Sequence, residues 1–142
     1  MFKVLGFSRT APMVKTMSEN RGIVFGLPAK FLKAEAVSIF AASIWLFAVQ
    51  GLDWWWYPVL LLVPDIFMVG YLANIKLGAI SYNIGHSLIP GLLLVALGLI
   101  GGSPWTTAIG AIWIGHVGMD RAVGYGLKYH DSFKHTHLAD PK

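Results

Sequence analysis

Four apolar stretches follow one another along the chain, separated by links of only a few residues. The first runs from Phe31 to Gln50 (FLKAEAVSIFAASIWLFAVQ) and the second from Trp55 to Ala73 (WWYPVLLLVPDIFMVGYLA). The third spans Gly78 to Ile100 (GAISYNIGHSLIPGLLLVALGLI) and the fourth Pro104 to Leu127. Each is close to the ~20 residues that cross ~30 Å of hydrocarbon at ~1.5 Å per residue. Links this short force neighbouring helices to run antiparallel. The pattern predicts an all-α integral membrane protein, a compact bundle of four transmembrane helices over 31–128. A basic N-terminal arm (1–30) precedes it and a short tail (129–142) follows.

Composition agrees with this reading. Hydrophobic residues make up 56% of the chain and charged residues 13%, against about a quarter charged in a soluble domain. Mean hydropathy is +0.61. There is no cysteine, which excludes disulfides and thiolate sites. The net charge of +4 reports membrane topology rather than nucleic-acid binding, because the basic residues are segregated. Lys3, Arg9, Lys15, Arg21, Lys30, Lys33, Lys76, Lys128, Lys134 and Lys142 all fall at one end of the predicted bundle, with Arg121 near the same end. The opposite links, QGLDWWWYP and GGSPWTT, contain no Lys or Arg. The positive-inside rule puts both termini in the cytoplasm, with Trp54, Trp55, Trp56, Tyr57 and Trp105 as an aromatic belt on the outer side. The arm lacks the continuous apolar core of a cleavable signal.

Every predicted helix carries polar residues: Glu35 in the first, Asp65 in the second, Asn83 and His86 in the third, and His116, Asp120 and Arg121 in the fourth. Counted from the basic ends at ~3.6 residues per turn, they lie at similar depth, in the cytoplasmic half of the bilayer. Asn83, His86, Ser87 and Pro90 form one helical stripe, His116 and Asp120 project together, and Glu35, Ser38 and Ala42 share a face. Ala108, Ala111, Gly115, Gly118 and Ala122 make a small-residue seam suited to close helix contact. Pro64 and Pro90 each free a helical carbonyl, of Leu60 and His86 respectively. Tyr71, Tyr82 and Tyr125 read as packing or interfacial groups, Lys128 as a favourable charge at a helix C-terminus, and the tail histidines as solvated.

The stretches LLVPDIFMVGYLAN, LGAISYNIGHSLIP and WIGHVGMDRAVGYGLKYHDSFKHTHL resemble the signature segments of a bacterial family of small membrane proteins, the domain of unknown function 4260. The resemblance runs from Lys33 to Leu138 and places the protein in the bacterial inner membrane. It implies that Glu35, Asp65, Asn83, His86, His116, Asp120 and Arg121, with Lys128, Phe133, Thr136 and His137, belong to the family pattern. It brings no activity with it.

Three readings compete for the polar cluster. In the first, Asp65, His86, His116 and Asp120 hold a divalent metal, Zn, Fe or Mn, with Glu35, Asn83, Arg121 and His137 in supporting or binding positions. Asp120, His116 and Asp65 would then carry catalysis on a lipid-like or small apolar substrate, by hydrolysis or oxidation. The spacings lack the Glu-x-x-His pairs of soluble di-iron bundles. In the second, the cluster belongs to a proton, ion or small-ligand pathway, although the outer halves of the third and fourth helices (GLLLVALGLI, TTAIGAIWI) are almost wholly apolar. In the third, the cluster only fixes helix packing in a structural subunit, with Arg121 ion-paired to Asp65 or Glu35. Intramembrane hydrogen bonds average ~0.6 kcal/mol, whereas a charge at mid-bilayer costs ~2.5–3.5 kcal/mol. Packing alone therefore accounts poorly for so many converging groups. The lipid bilayer is the expected partner, nucleic acid is not, and a homo-oligomer or larger membrane complex is compatible with the sequence.

Overall fold

A computed structural model describes residues 22–139. Lys3, Arg9, Lys15 and Arg21 of the basic arm, and Lys142, lie outside them. The described chain is all-α, with four helical arms in the predicted order. Helix α1 (Gly26–Ala48) forms the first arm. The second is split into α2 (Trp56–Leu61) and a 3-10 helix (Val63–Leu72). The third is split into α3 (Ile75–Gly85) and α4 (Leu88–Gly101), and α5 (Pro104–Val123) is the fourth. Two of these arms, Gly26–Ala48 and Ile75–Gly101, are long and apolar enough to cross a membrane.

Both splits depart from the continuous helices that hydrophobicity predicts, and both occur beside a proline. Pro64 has no N–H, and its ring would collide with the Leu60 carbonyl in a continuing α-helix. The α ladder therefore stops, and the chain continues with i→i−3 bonding, the Asp65 N–H reaching the Leu62 carbonyl at 3.1 Å. A 3-10 helix repeats every ~3 residues, which aligns Asp65, Met68 and Tyr71. In the third arm His86 closes α3, and Ser87, in extended backbone, opens α4. Pro90 thus stands in the first turn of α4, where a missing N–H leaves no bond unmade. The predicted stripe through Asn83, His86, Ser87 and Pro90 is interrupted at this break.

Helix α5 is the axis of the fold, packed along α1 on one side and α4 on the other, while α3 lies against the 3-10 helix. The predicted seam makes the first contact: Ala108, Ala111, Gly115 and Gly118 are buried. A Cβ on Gly118 would stand 2.9 Å from the Phe40 nitrogen and 3.0 Å from the Ala36 carbonyl oxygen. On the α1 side the buried residues are Ala36, Ser43 and Phe47. Glu35, Ser38 and Ala42 occupy the exposed face instead, so the interior stripe predicted for α1 is displaced by about one residue. Near the tryptophan-rich end, Phe47, Tyr57, Ala108, Ala111 and Ile112 form an apolar core, with the Tyr57 and Ser43 hydroxyls bonded at 2.7 Å.

The last helix ends sooner than its hydrophobicity suggests. Gly124 adopts φ 104°, and the Tyr125 N–H bonds back to the Asp120 carbonyl at 2.8 Å, the six-to-one closure of a glycine-terminated helix. The chain then turns across the end of the bundle instead of trailing away.

The α4–α5 contact is closer still, because Gly91 and Gly110 face each other. A Cβ on Gly110 would lie 2.6 Å from the Val95 nitrogen and 2.8 Å from the Gly91 carbonyl oxygen, backbone atoms that cannot swing aside. Gly110→Ala is expected to destabilise the fold by about 1–3 kcal/mol. Gly101→Ala, with nothing within 4 Å of the added carbon, should be neutral or slightly stabilising. Thermal unfolding of both variants in detergent checks the contrast.

Candidate metal centre

The two breaks and the seam converge on one place. Asp65 sits in the first turn of the 3-10 helix, His86 at the end of α3, and His116 and Asp120 one turn apart on α5. The His86 and His116 Nε2 atoms are 3.0 Å apart. Asp65 Oδ1 lies 3.2 Å from His86 Nε2 and 3.6 Å from His116 Nε2. These three donors close within 4.8 Å of one another. Asp120 Oδ2 adds a fourth, 3.7 Å from His86 Nε2 and 3.8 Å from His116 Nε2. Metal–ligand bonds of ~2.0–2.1 Å in a tetrahedron imply donor–donor edges of about 3.3–3.4 Å. The Asp65, His86 and His116 edges bracket that value, so this group can hold a metal ion.

Hydrogen bonding decides which atoms are available. His86 Nδ1 is 3.0 Å from the Tyr82 carbonyl oxygen, which can only accept, so the ring carries its proton on Nδ1. Its Nε2 is therefore a bare lone pair aimed at the cluster, the arrangement of a metal-ligating imidazole. The Tyr82 ring stacks on the His86 ring at 3.7 Å. The Tyr82 hydroxyl donates to Asp120 Oδ2 at 3.2 Å, so one side chain braces an imidazole and a carboxylate together. The Trp113 Nε1–H donates to the Gly85 carbonyl at 2.7 Å and satisfies a group that the helix break would leave open. His116 Nδ1 is buried without a hydrogen-bond partner among the described residues. Its ring is buried and lies edge-on to that of His86, with the ring centroids 4.9 Å apart.

The remaining predicted site residues lie elsewhere. Glu35 is exposed on α1. Arg121 forms no ion pair with a described carboxylate, so the expected pairing with Asp65 or Glu35 is not made. Asn83 clasps the tail: its Oδ1 accepts from the Lys128 N–H at 2.7 Å and its Nδ2–H donates to the Lys128 carbonyl at 2.9 Å. His137 belongs to the same latch, its Nδ1 accepting the Leu127 N–H at 2.9 Å and its carbonyl the Val24 N–H at 2.8 Å.

Two participants have roles other than those read from the sequence. Tyr82 reads as packing, yet its i, i+4 spacing to His86 on α3 is the signal that could have found it. Lys128 is buried, with Nζ 3.4 Å from the Phe133 ring centroid and 4.3 Å from that of Tyr82, a cation–π setting assembled from distant segments. Nor are the tail histidines uniformly solvated: His130 is exposed, but His135 is buried and donates from Nδ1 to Asp131 at 2.8 Å. That bond holds the Asp131 carboxyl below its usual range. A cavity of about 270 Å³ lined by Asp65, Met68, Tyr82, Asp120, Tyr125, Lys128 and Phe133 gives access to the cluster.

The family described as Domain of unknown function (DUF4260) matches residues 29–140, most of the chain. The chain belongs to this family. Neither the curated proteins nor the solved structures gave a match. Every member of the cluster, and Asn83, Leu127, Lys128 and His137 of the latch, lie within the matched segment.

The latch has a pH dependence of calculable sign. Burial pushes the His137 pKa below the ordinary histidine value, and the Arg121 charge acts in the same direction. Its stabilisation of the tail is therefore present above the unfolded pKa of ~6.5 and lost as pH falls through the depressed folded value. The tail should become protease-sensitive on acidification to about pH 5. His137→Asn, which offers an amide oxygen near the Nδ1 position and does not titrate, should remove that sensitivity. Limited proteolysis across the pH range is the check.

Proposed function

We propose that this is a four-pass membrane protein carrying a divalent-metal centre at Asp65, His86, His116 and Asp120, which acts on a lipid or other amphiphilic substrate from the cytoplasmic leaflet. The observation that carries the reading is the excess of acceptors over protons in the cluster. With His86 protonated at Nδ1, the neutral-state cluster has two protons, one from His116 and one from the Tyr82 hydroxyl, to share among two Nε2 atoms and the carboxylate oxygens Asp65 Oδ1 and Asp120 Oδ2. Lone pairs gathered at such distances repel unless a cation lies among them. When bound, a divalent ion would supply a Lewis acid. The chain's own contribution is to fix the donors: Tyr82 orients His86 and Asp120, and the α5 helix sets His116 and Asp120 on one face.

Access favours a working site over a structural one. The Asp65 side chain is 40% exposed and lines the cavity that leads to the cluster. A network serving packing alone would be closed. The membrane reading draws on the surface. The apolar windows of the arms Gly26–Ala48 and Ile75–Gly101 are only 17% and 22% buried, unlike core helices of a soluble protein. Exposed Trp45, Leu72, Ile89, Leu97 and Ile100 spread apolar surface over several arms, far more than soluble monomers present. Trp54 and Trp55 are exposed beside the stacked pair Trp55–Trp56 and the Trp56–Trp105 contact, as an interfacial belt requires.

Metal analysis of the detergent-purified full chain should find about one equivalent of a transition metal, reduced by about 10-fold or more in His86→Ala and His116→Ala. Helicity of both variants is measured alongside. Sub-stoichiometric metal that both substitutions leave unchanged would sink the proposal.

A reporter fused to the C-terminus should be active only in its cytoplasmic form. Activity of a periplasmic reporter there would reverse the orientation and remove the cytoplasmic-leaflet site.

A further inference from the structure

A second and larger cavity adjoins the first. It encloses about 490 Å³ and is lined by Lys33, Lys128 and Lys134 together with Tyr125, Phe133 and Thr136. That volume falls within the ~300–1,000 Å³ usual for small-molecule sites. Among the described residues its lining includes no acidic side chain, and three lysines border one space. Tyr125, Lys128 and Phe133 line both cavities. The basic space and the space bordered by Asp65 and Asp120 are therefore neighbours, with Lys128 on the boundary.

Three separate elements bring these charges together. Lys33 extends from α1 to the end of α5, where its Nζ would lie 3.4 Å from a Cβ built on Gly124. Lys128 is fixed through its backbone by Asn83, and Lys134 comes from the returning tail. The Thr136 Oγ1 accepts the Leu138 and Ala139 N–H groups at 3.2 and 3.0 Å, and its own hydroxyl hydrogen has no acceptor among the described residues. Lysines bind phosphate as point charges. A phosphate monoester carries about −1.5 to −2 charge at neutral pH, a better counterpart to three ammonium groups than a single carboxylate.

We propose that this cavity is a phosphate head-group site, which holds the anionic end of an amphiphile while its neighbouring portion reaches the Asp65–Asp120 cavity. Its role in substrate selection rests on the metal-centre reading, but binding itself does not need the metal.

The test uses the chelator-treated full chain in mixed micelles of phosphatidic acid and phosphatidylcholine, with retained lipid read by native mass spectrometry. Phosphatidic acid should be retained in preference to phosphatidylcholine. The double variant Lys33→Ala, Lys134→Ala should lower that preference by about tenfold or more. The double arginine variant should keep it, as should Lys76→Ala, an exposed lysine on α3 outside the cavity. Displacement by millimolar inorganic phosphate would assign the site to free phosphate-class anions, and retention against it to an anchored lipid head group. Equal retention of both lipids, or an equal loss in Lys76→Ala, would overturn the proposal. Because the protein is metal-free throughout, this result and that of the metal analysis fail independently.

Discussion

The hydrogen bond from His86 Nδ1 to the Tyr82 carbonyl is the interaction on which the rest of the site depends. A helical carbonyl is a fixed acceptor, so it dictates the tautomer of the ring and leaves Nε2 unprotonated. That nitrogen stands 3.0 Å from His116 Nε2 and 3.2 Å from Asp65 Oδ1. Rotation of this ring would disperse the donor set. The Tyr82 ring stacked beneath it and the Tyr82 hydroxyl on Asp120 make one turn of α3 the support for both sides of the cluster.

Such a cluster needs interrupted helices. In a straight third arm, α3 could not leave α5 to lie against the 3-10 helix while α4 remains on α5. The break at His86 and Ser87 allows both contacts, and the break before Pro64 brings Asp65 in from the second arm. Broken helices leave backbone groups without their helical partners, and such groups, where buried, must find others within the protein. Here Trp113 takes the Gly85 carbonyl and Ser81 takes the Phe67 carbonyl, at 2.7 and 2.6 Å. Gly91, Gly110 and Gly118 let α5 approach its neighbours closely enough for short side chains to complete the site.

The tail supplies the other wall. Asn83 and His137 fasten residues 127 and 128 across the bundle end, which seats Lys128 among aromatic rings and beside two cavities. Glycine at position 124 makes the reversal possible: its φ of 104° is a conformation that a side chain would strain.

The sequence by itself determined the four arms, their order, the small-residue seam and the shared depth of Asp65, His86, His116 and Asp120, because hydrophobic length and the helical repeat are local properties. It also marked Pro64 and Pro90, but not that each would begin a new segment. Glu35 was assigned to the interior because a helix face read from three residues is uncertain by one position, and here that step carries it to the surface. Only the tertiary structure decided the Tyr82 brace, the Asn83 clasp and the enclosure of Lys128 by Phe133, Tyr82 and Tyr71. The brace to Asp120, the clasp on Lys128 and the Tyr82 and Tyr71 walls join residues 38 to 57 positions apart, and Phe133 reaches Lys128 only because the tail turns back. Local periodicity can fix the depth of a side chain along a helix. Which side chain it meets depends on how the helices bend and rotate against one another, and that is set by packing.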